Sequence, residues 1–328
     1  MEAFEYASPT TKEAAVKLLA AKWGETEVLA GGTDLLSLMK DYVTSPKRVV
    51  SLQAVKELRG IDLKPATGLR LGATATLREL LDHAEVRRQY PALIQAAEGV
   101  RSQQLQSVGT VGGDLLQRPR CWYFRARYGV LAQDNGKPLV PNGENQYHAV
   151  LGNAGPAYFV NPSSFAPILI ALGAKVRLLG PQGAREVGLD KFFVTPTTND
   201  QREYDLKPNE ILTDILVPPA GGAKMAIYEV RQKEALDWPL ATAAVVLNLS
   251  GKTVKSARVV LGHVAPVPWP SPEAEDALAG KTVSDSVADD AGKAAVAKAT
   301  PLSKNAYKVL LARVAVKRAI LAAAEGGA

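Results

Sequence analysis

Apolar and polar positions follow two rhythms along this chain, and the changes between them mark out its elements. Residues 9–22 carry apolar side chains at helical spacing behind Thr10 or Thr11 as cap, which predicts an amphipathic helix. Residues 26–32 (TEVLAGG) read as a short strand ending in glycines, 34–40 as a short helix and 47–52 as a strand. The first sixty residues thus alternate helix and strand. A strand follows at 69–76. Residues 78–100 hold one helix and the start of another, interrupted near Pro91. The TVGGDLLQ segment at 110–117 has a strand-like apolar context. From 118 to about 160 the chain is rich in Gly, Pro and Asn without periodicity, as in an insertion with a functional or partner-covering role. Helix then strand recur at 164–180, and a strand at 210–218. A Pro/Gly linker at 218–224 leads to three strands (228–232, 243–250, 256–264) and, from about 273, a helical tail.

Composition narrows the chemistry. The 328 residues are 47% apolar and 22% charged, as in a globular protein of two or three domains. The net charge of +6 is dispersed, which argues against nucleic-acid binding. No apolar run reaches the roughly 20 residues that span a bilayer, and the polar, acidic N-terminus is unlike a signal peptide. A cytoplasmic protein is expected, or a periplasmic one by export with a signal-bearing partner. The single cysteine, Cys121, excludes an internal disulfide, a Cys-rich zinc site and an iron–sulfur cluster held by this chain alone. The three histidines, His83, His148 and His263, lack metal-ligand spacing. No hydrolase signature occurs, so demanding chemistry here requires a bound cofactor.

Two segments suit such a cofactor. In AGGTDLLSLMK (30–40) a strand ends at Ala30, Gly31 and Gly32 turn, and a helix starts near Thr33 or Asp34. This offers several backbone N–H groups to a phosphate or pyrophosphate. A plain strand–turn–helix corner has the same pattern, and Asp34 opposes an anion unless it turns away. In TVGGDLLQ, Gly112 and Gly113 permit close approach, with Thr110 and Asp114 supplying a hydroxyl and a carboxylate suited to ribose. Two GG loops some eighty residues apart fit one extended ligand between two subdomains, or two unrelated turns. RPRCWYFRAR (118–127) reads as a basic, aromatic surface for a partner or an anionic cofactor, with Cys121 a structural thiol sooner than a nucleophile.

AGGTDLLSLMK, TVGGDLLQ, NEILTDILVP and PLSKNAYKVLLARVAVKRAI, in this order from about residue 1 to 321, resemble the FAD-binding medium subunit of the molybdenum hydroxylases. That family spans xanthine dehydrogenase, carbon monoxide dehydrogenase and aldehyde oxidoreductase types. The resemblance implies an α+β fold: a two-subdomain FAD-binding domain of vanillyl-alcohol-oxidase type at 1–220, with subdomains near 1–58 and 59–220 and an insertion at about 118–160. A C-terminal domain at 224–328 follows, with a three-stranded sheet and helices. By position it implies Ala30, Gly31, Gly32, Thr33, Asp34 and Leu35 at the FAD pyrophosphate, Thr110, Gly113 and Asp114 on the nucleotide, Ser164 near it, and Leu212 beside the isoalloxazine. QRPRCWYFR resembles more narrowly the aldehyde oxidoreductase branch, whose insertion holds a [4Fe–4S] cluster. With Cys121 alone, this chain is expected to lack one.

Three positions depart from the family pattern: Asp114 for a frequent Asn, Ser164 for a frequent Asp, and Glu229 for a frequent Lys. The implied function is electron transfer by FAD. A large subunit with molybdenum cofactor would oxidise the substrate, and a small subunit with [2Fe–2S] clusters would relay electrons to this flavin. NAD, oxygen, a quinone and a cytochrome are all compatible as acceptor. A stand-alone FAD oxidoreductase would differ in being active without partners, and a scaffold subunit without FAD would be colourless.

Overall fold

A computed structural model describes residues 1–233 and 237–326. The N-terminal unit is β1 (Glu5–Ala7), α1 (Lys12–Lys17), β2 (Thr26–Leu29), α2 (Leu35–Lys40) and β3 (Arg48–Ser51). Its parallel sheet has the order β1-β3-β2, each crossover carrying one short helix. Thr11 is the cap of α1, its Oγ1 accepting from Ala14 N at 3.2 Å, and the helix is shorter than its periodic pattern.

The middle unit runs β4 (Ile61–Lys64), β5 (Gly68–Gly72), α3 (Leu77–Leu81), α4 (Ala84–Gln89), α5 (Pro91–Gly99), α6 (Gln103–Val108), α7 (Val111–Leu116), α8 (Trp122–Arg125), β6 (Gln133–Asp134), β7 (Lys137–Pro138), α9 (Ala166–Ala171), β8 (Lys175–Gly180), β9 (Gly183–Gly188), α10 (Leu189–Phe192) and β10 (Ile211–Val217). An antiparallel sheet, order β4-β5-β10-β8-β9, forms its floor.

Local signals explain two differences from the sequence expectation. Residues 78–100 form three short helices, because Thr76 and Glu79 make a reciprocal cap, His83 caps the next helix and Pro91 opens the third. The TVGGDLL segment is a helix, not a strand: Thr110 is its N-cap, with Oγ1 accepting from Gly113 N at 3.0 Å.

The last unit is β11 (Lys224–Val230), β12 (Ala241–Ser250), β13 (Thr253–Gly262), β14 (Trp269–Pro270), α11 (Pro272–Leu278), α12 (Asp285–Ala295) and α13 (Tyr307–Glu325). The antiparallel sheet has four strands in chain order, not three, since Trp269 and Pro270 pair with Leu261 and Val260. Small residues let α13 pack on β11 and β12, and α12 pack on α13, in a core with Val245, Leu247 and Leu261. Met225, Ala244 and Val260 on this sheet join the core of the middle unit, so the two share apolar contact.

The 118–160 insertion is not a loose loop. It contains α8 and the β6–β7 hairpin, and its Phe124, Val130, Leu131 and Phe159 pack with Leu38 of α2. On its other side buried polar groups tie it to the segment before α13. Asn145 Oδ1 accepts from Lys304 N at 2.9 Å, and Asn305 Nδ2 donates to the carbonyls of His148 and Ala149, both at 3.1 Å. Lys308 Nζ donates to the carbonyls of Tyr147 (3.0 Å), His148 (3.1 Å) and His263 (2.8 Å).

Candidate cofactor site

A cleft of about 470 Å³ opens between the N-terminal sheet and the middle unit. The β2–α2 loop forms one wall, the start of α7 a second, and β10 contributes Leu212. Of the residues singled out from sequence, Ala30, Gly31, Gly32, Thr33, Asp34, Leu35, Thr110, Gly113 and Leu212 all line it. Segments eighty residues apart thus face one cavity.

The glycines serve backbone packing before ligand approach. A Cβ on Gly31 would stand 1.9 Å from the Val108 carbonyl oxygen, and one on Gly112 would stand 2.6 Å from that of Ala73. The first would push the loop away from the end of α6, and the second would push α7 away from the segment after β5. Gly32 has φ +74°, a left-handed turn that favours glycine. The resulting loop leaves the N–H groups of Gly31, Gly32, Thr33 and Asp34 without an acceptor among the described residues. Successive free N–H groups in a turn make an anion-binding concavity.

Asp34 sits at the N-cap position of α2, but its side chain does not cap the helix. Its carboxylate accepts from Arg118 N (2.8 Å) and pairs with Arg120 (2.9 Å) and Arg125 (2.7 Å). Arg120 and Arg125 of the insertion therefore face one of this chain's own acids. Arg118 pairs with Glu203 at 2.9 Å.

Asp114 and Ser164 lie outside the cleft lining. The Asp114 carboxylate accepts from Ser163 Oγ (2.5 Å), Gln117 Nε2 (3.0 Å), Phe165 N (3.2 Å) and Ser164 N (3.4 Å), joining α7 to the turn before α9. Burial pushes its carboxyl up to about 6, against the pull of those donors. Ser164 is buried, with its backbone N–H on that carboxylate. Glu229 also lies outside the lining; it is ion-paired with Arg231 and mostly buried.

Sequence reasoning missed the opposite wall. Glu27 pairs with Arg202 at 2.6 Å, and the Arg202 guanidinium lies over Trp23 at 4.5 Å. Trp23, Glu27, Asn199, Gln201, Arg202 and Tyr204 all line the cleft. Residues 199–204 carry no motif and no periodicity, so only the closed fold brings them here.

A second cavity, about 290 Å³, lies between the insertion and the C-terminal unit. Cys121 Sγ sits there 3.2 Å from His148 Nε2. Burial pushes the Cys121 thiol up to about 11 and the imidazole down to about 4. Both groups are neutral near pH 7, so Cys121 is not an activated nucleophile. Among the described residues no group of three or more His, Cys, Asp or Glu is placed to hold a metal ion.

The chain is similar over nearly its whole length to known flavoprotein subunits. Residues 2–220 match the FAD binding domain in molybdopterin dehydrogenase, and residues 226–323 match the CO dehydrogenase flavoprotein C-terminal domain. The aldehyde oxidoreductase FAD-binding subunit PaoB of Escherichia coli (strain K12) is 31% identical over 95% of this chain and 96% of its own length. The carbon monoxide dehydrogenase medium chain of Hydrogenophaga pseudoflava is 30% identical over 98% of this chain and 96% of its own. A solved structure of the Hydrogenophaga pseudoflava carbon monoxide dehydrogenase, lacking the Mo-pyranopterin moiety of its cofactor, superposes with a TM-score of 0.78 at 29% identity, covering 100% of this chain and 99% of that one. With two family matches spanning nearly its whole length, the chain belongs to the molybdopterin dehydrogenase FAD-binding family, in the company of aldehyde oxidoreductase and carbon monoxide dehydrogenase flavoprotein subunits.

Proposed function

We propose that this chain is the FAD-binding electron-transfer subunit of a molybdenum hydroxylase that also contains a large molybdenum-cofactor subunit and a small [2Fe–2S] subunit. The observation that carries the reading is the convergence of the 30–35 loop and the 110–113 turn on one cleft, with four N–H groups lacking an acceptor. That donor set suits a pyrophosphate, and the apolar wall of Leu35, Leu38 and Leu212 suits a flat ring system. Residues 1–220 would then be a two-subdomain FAD domain of vanillyl-alcohol-oxidase type, with the remainder, from 224, closing against it.

In this reading Gly31, Gly32, Thr33 and Asp34 bind the pyrophosphate through their backbone. Thr110 and Gly113 approach the nucleotide, and Leu212 packs beside the isoalloxazine. Asp114 fixes the turn before α9 instead of holding ribose directly. FAD held there would supply the redox chemistry, electron relay between an iron–sulfur partner and an external acceptor. The chain itself orients the cofactor and supplies no acid–base catalyst. Substrate oxidation belongs to the molybdenum subunit, and the compartment is cytoplasmic unless a partner carries the assembly across the membrane.

Co-purification tests this assignment. Tagged full-length chain expressed with its native neighbours is expected to bring down two partner chains, molybdenum and FAD. A flavin-bearing chain that oxidises substrate with no partner would favour the stand-alone reading instead.

A further inference from the structure

The cleft carries a charge that the cofactor reading must reconcile. A loop with four N–H groups that lack an acceptor also contains Asp34, whose carboxylate would repel a pyrophosphate at a range where salt screens little. We propose that Arg120 and Arg125 are positioning residues for the cofactor: they neutralise the Asp34 carboxylate and hold it turned away, so that the 31–34 loop accepts an anion. The proposal rests on the FAD reading above and deepens it.

The geometry supports the role at each step. Both guanidinium groups reach the same oxygen, Asp34 Oδ1, at 2.9 Å and 2.7 Å, while Arg118 N occupies Oδ2 at 2.8 Å. The carboxylate is therefore engaged on both oxygens, by donors that all come from the insertion. Arg125 is itself fixed from two sides. It donates to the Pro119 carbonyl (3.0 Å) within its own segment and to Ser37 Oγ (3.1 Å) on α2. Arg120 is held by Gln117 Oε1 (2.8 Å) and lies over the Trp238 ring at 4.5 Å. Two guanidinium groups against one carboxylate leave a net positive charge beside the loop. Of the insertion's other two arginines, Arg118 is matched by Glu203 and Arg127 lines the cleft. Neither Arg120 nor Arg125 lines the cleft, so both act through Asp34. The insertion then belongs to the cofactor site, and its arginine spacing follows from Asp34.

The test is FAD titration of deflavinated full-length protein, followed by flavin fluorescence, with the unfolding temperature of the FAD-free protein as a check of folding. Arg125→Gln is expected to raise Kd about ten-fold, the value of one charge-assisted contact, and Arg120→Gln/Arg125→Gln further. Adding Asp34→Asn to the double variant is expected to return most of the affinity, because no charge is left to cancel. Added salt should narrow the gap between the double variant and the unaltered protein. Arg125→Lys keeps the charge and should bind nearly as well as the unaltered chain, which keeps the test open if the double variant fails to fold. Unchanged affinity in Arg125→Gln, equal loss in the Lys and Gln variants, or a loss that Asp34→Asn leaves unrepaired would overturn the proposal. An unaltered chain that takes up no FAD would overturn the cofactor reading itself, and the proposal with it.

Discussion

At the scale of single residues, most identities around the cleft are explained by backbone approach and by charge balance. Gly31→Ala forces a methyl group toward the Val108 carbonyl, 1.9 Å from where its Cβ must sit. Overpacking of this kind costs about 1–3 kcal/mol. Thermal unfolding should show that loss, together with lower flavin retention; a variant as stable and as yellow as the unaltered protein would refute the packing argument. Glu229→Lys sets an ammonium against Arg231 where a mostly buried ion pair now stands. Breaking such a pair costs about 3 kcal/mol, and the urea midpoint should fall accordingly, whereas an unchanged midpoint would show that the pair contributes nothing. His148 gives a pH signature. Burial holds its folded-state pKa down at about 4, against about 6.5 in the unfolded chain. Between those values the unfolded state binds more protons, so this residue makes stability rise with pH across that window. The stability of the unaltered protein relative to His148→Gln should increase from pH 4 to 6.5 and then level off; a constant difference would mean that the imidazole titrates normally.

At the scale of elements, the insertion differs most from its expectation. The sequence shows a stretch rich in Gly, Pro and Asn, and nothing in its spacing reveals that Asn145 and Lys308 are partners of segments far along the chain. Burial turns these polar residues into tie points. Asn305 is fully buried; replacing it with Ala strands the N–H of Leu302 and removes one of the two donors to each of the carbonyls of His148 and Ala149, which keep Lys308 and Asn153. Leaving buried groups unpaired costs about 1–3 kcal/mol each. Asn305→Ala should therefore lower the unfolding temperature well below that of Asn248→Ala, whose hydrogen bond to Ser256 is exposed; equal effects would contradict the docking of the insertion. Strand β12 was legible because its apolar run is long, and β10 because Ile and Leu flank Thr213 and Asp214 on both sides. The 111–116 helix was not, because two glycines lower its helical propensity, and a Thr110 cap and packing on Ala73 hold it instead. The 30–35 loop was legible because its chemistry is local. The Trp23 and Arg202 wall was not, because it is assembled across the fold.

At the scale of the whole molecule, two sheets and the insertion make one cleft, and the C-terminal sheet packs against the middle unit. The N-terminal sheet supplies the anion-binding loop, the middle sheet supplies Leu212, and the insertion neutralises the acid between them. No helix among the described residues is long and apolar enough to cross a membrane. In the proposed function, this chain is the place where electrons leave the assembly, with substrate chosen on another subunit. The most direct test of that account is the absorption spectrum and released flavin of the purified full-length chain, measured before and after incubation with FAD. The purified protein is expected to be yellow, with one FAD per chain retained or restored by added FAD. A folded, colourless protein that takes up no FAD would contradict it.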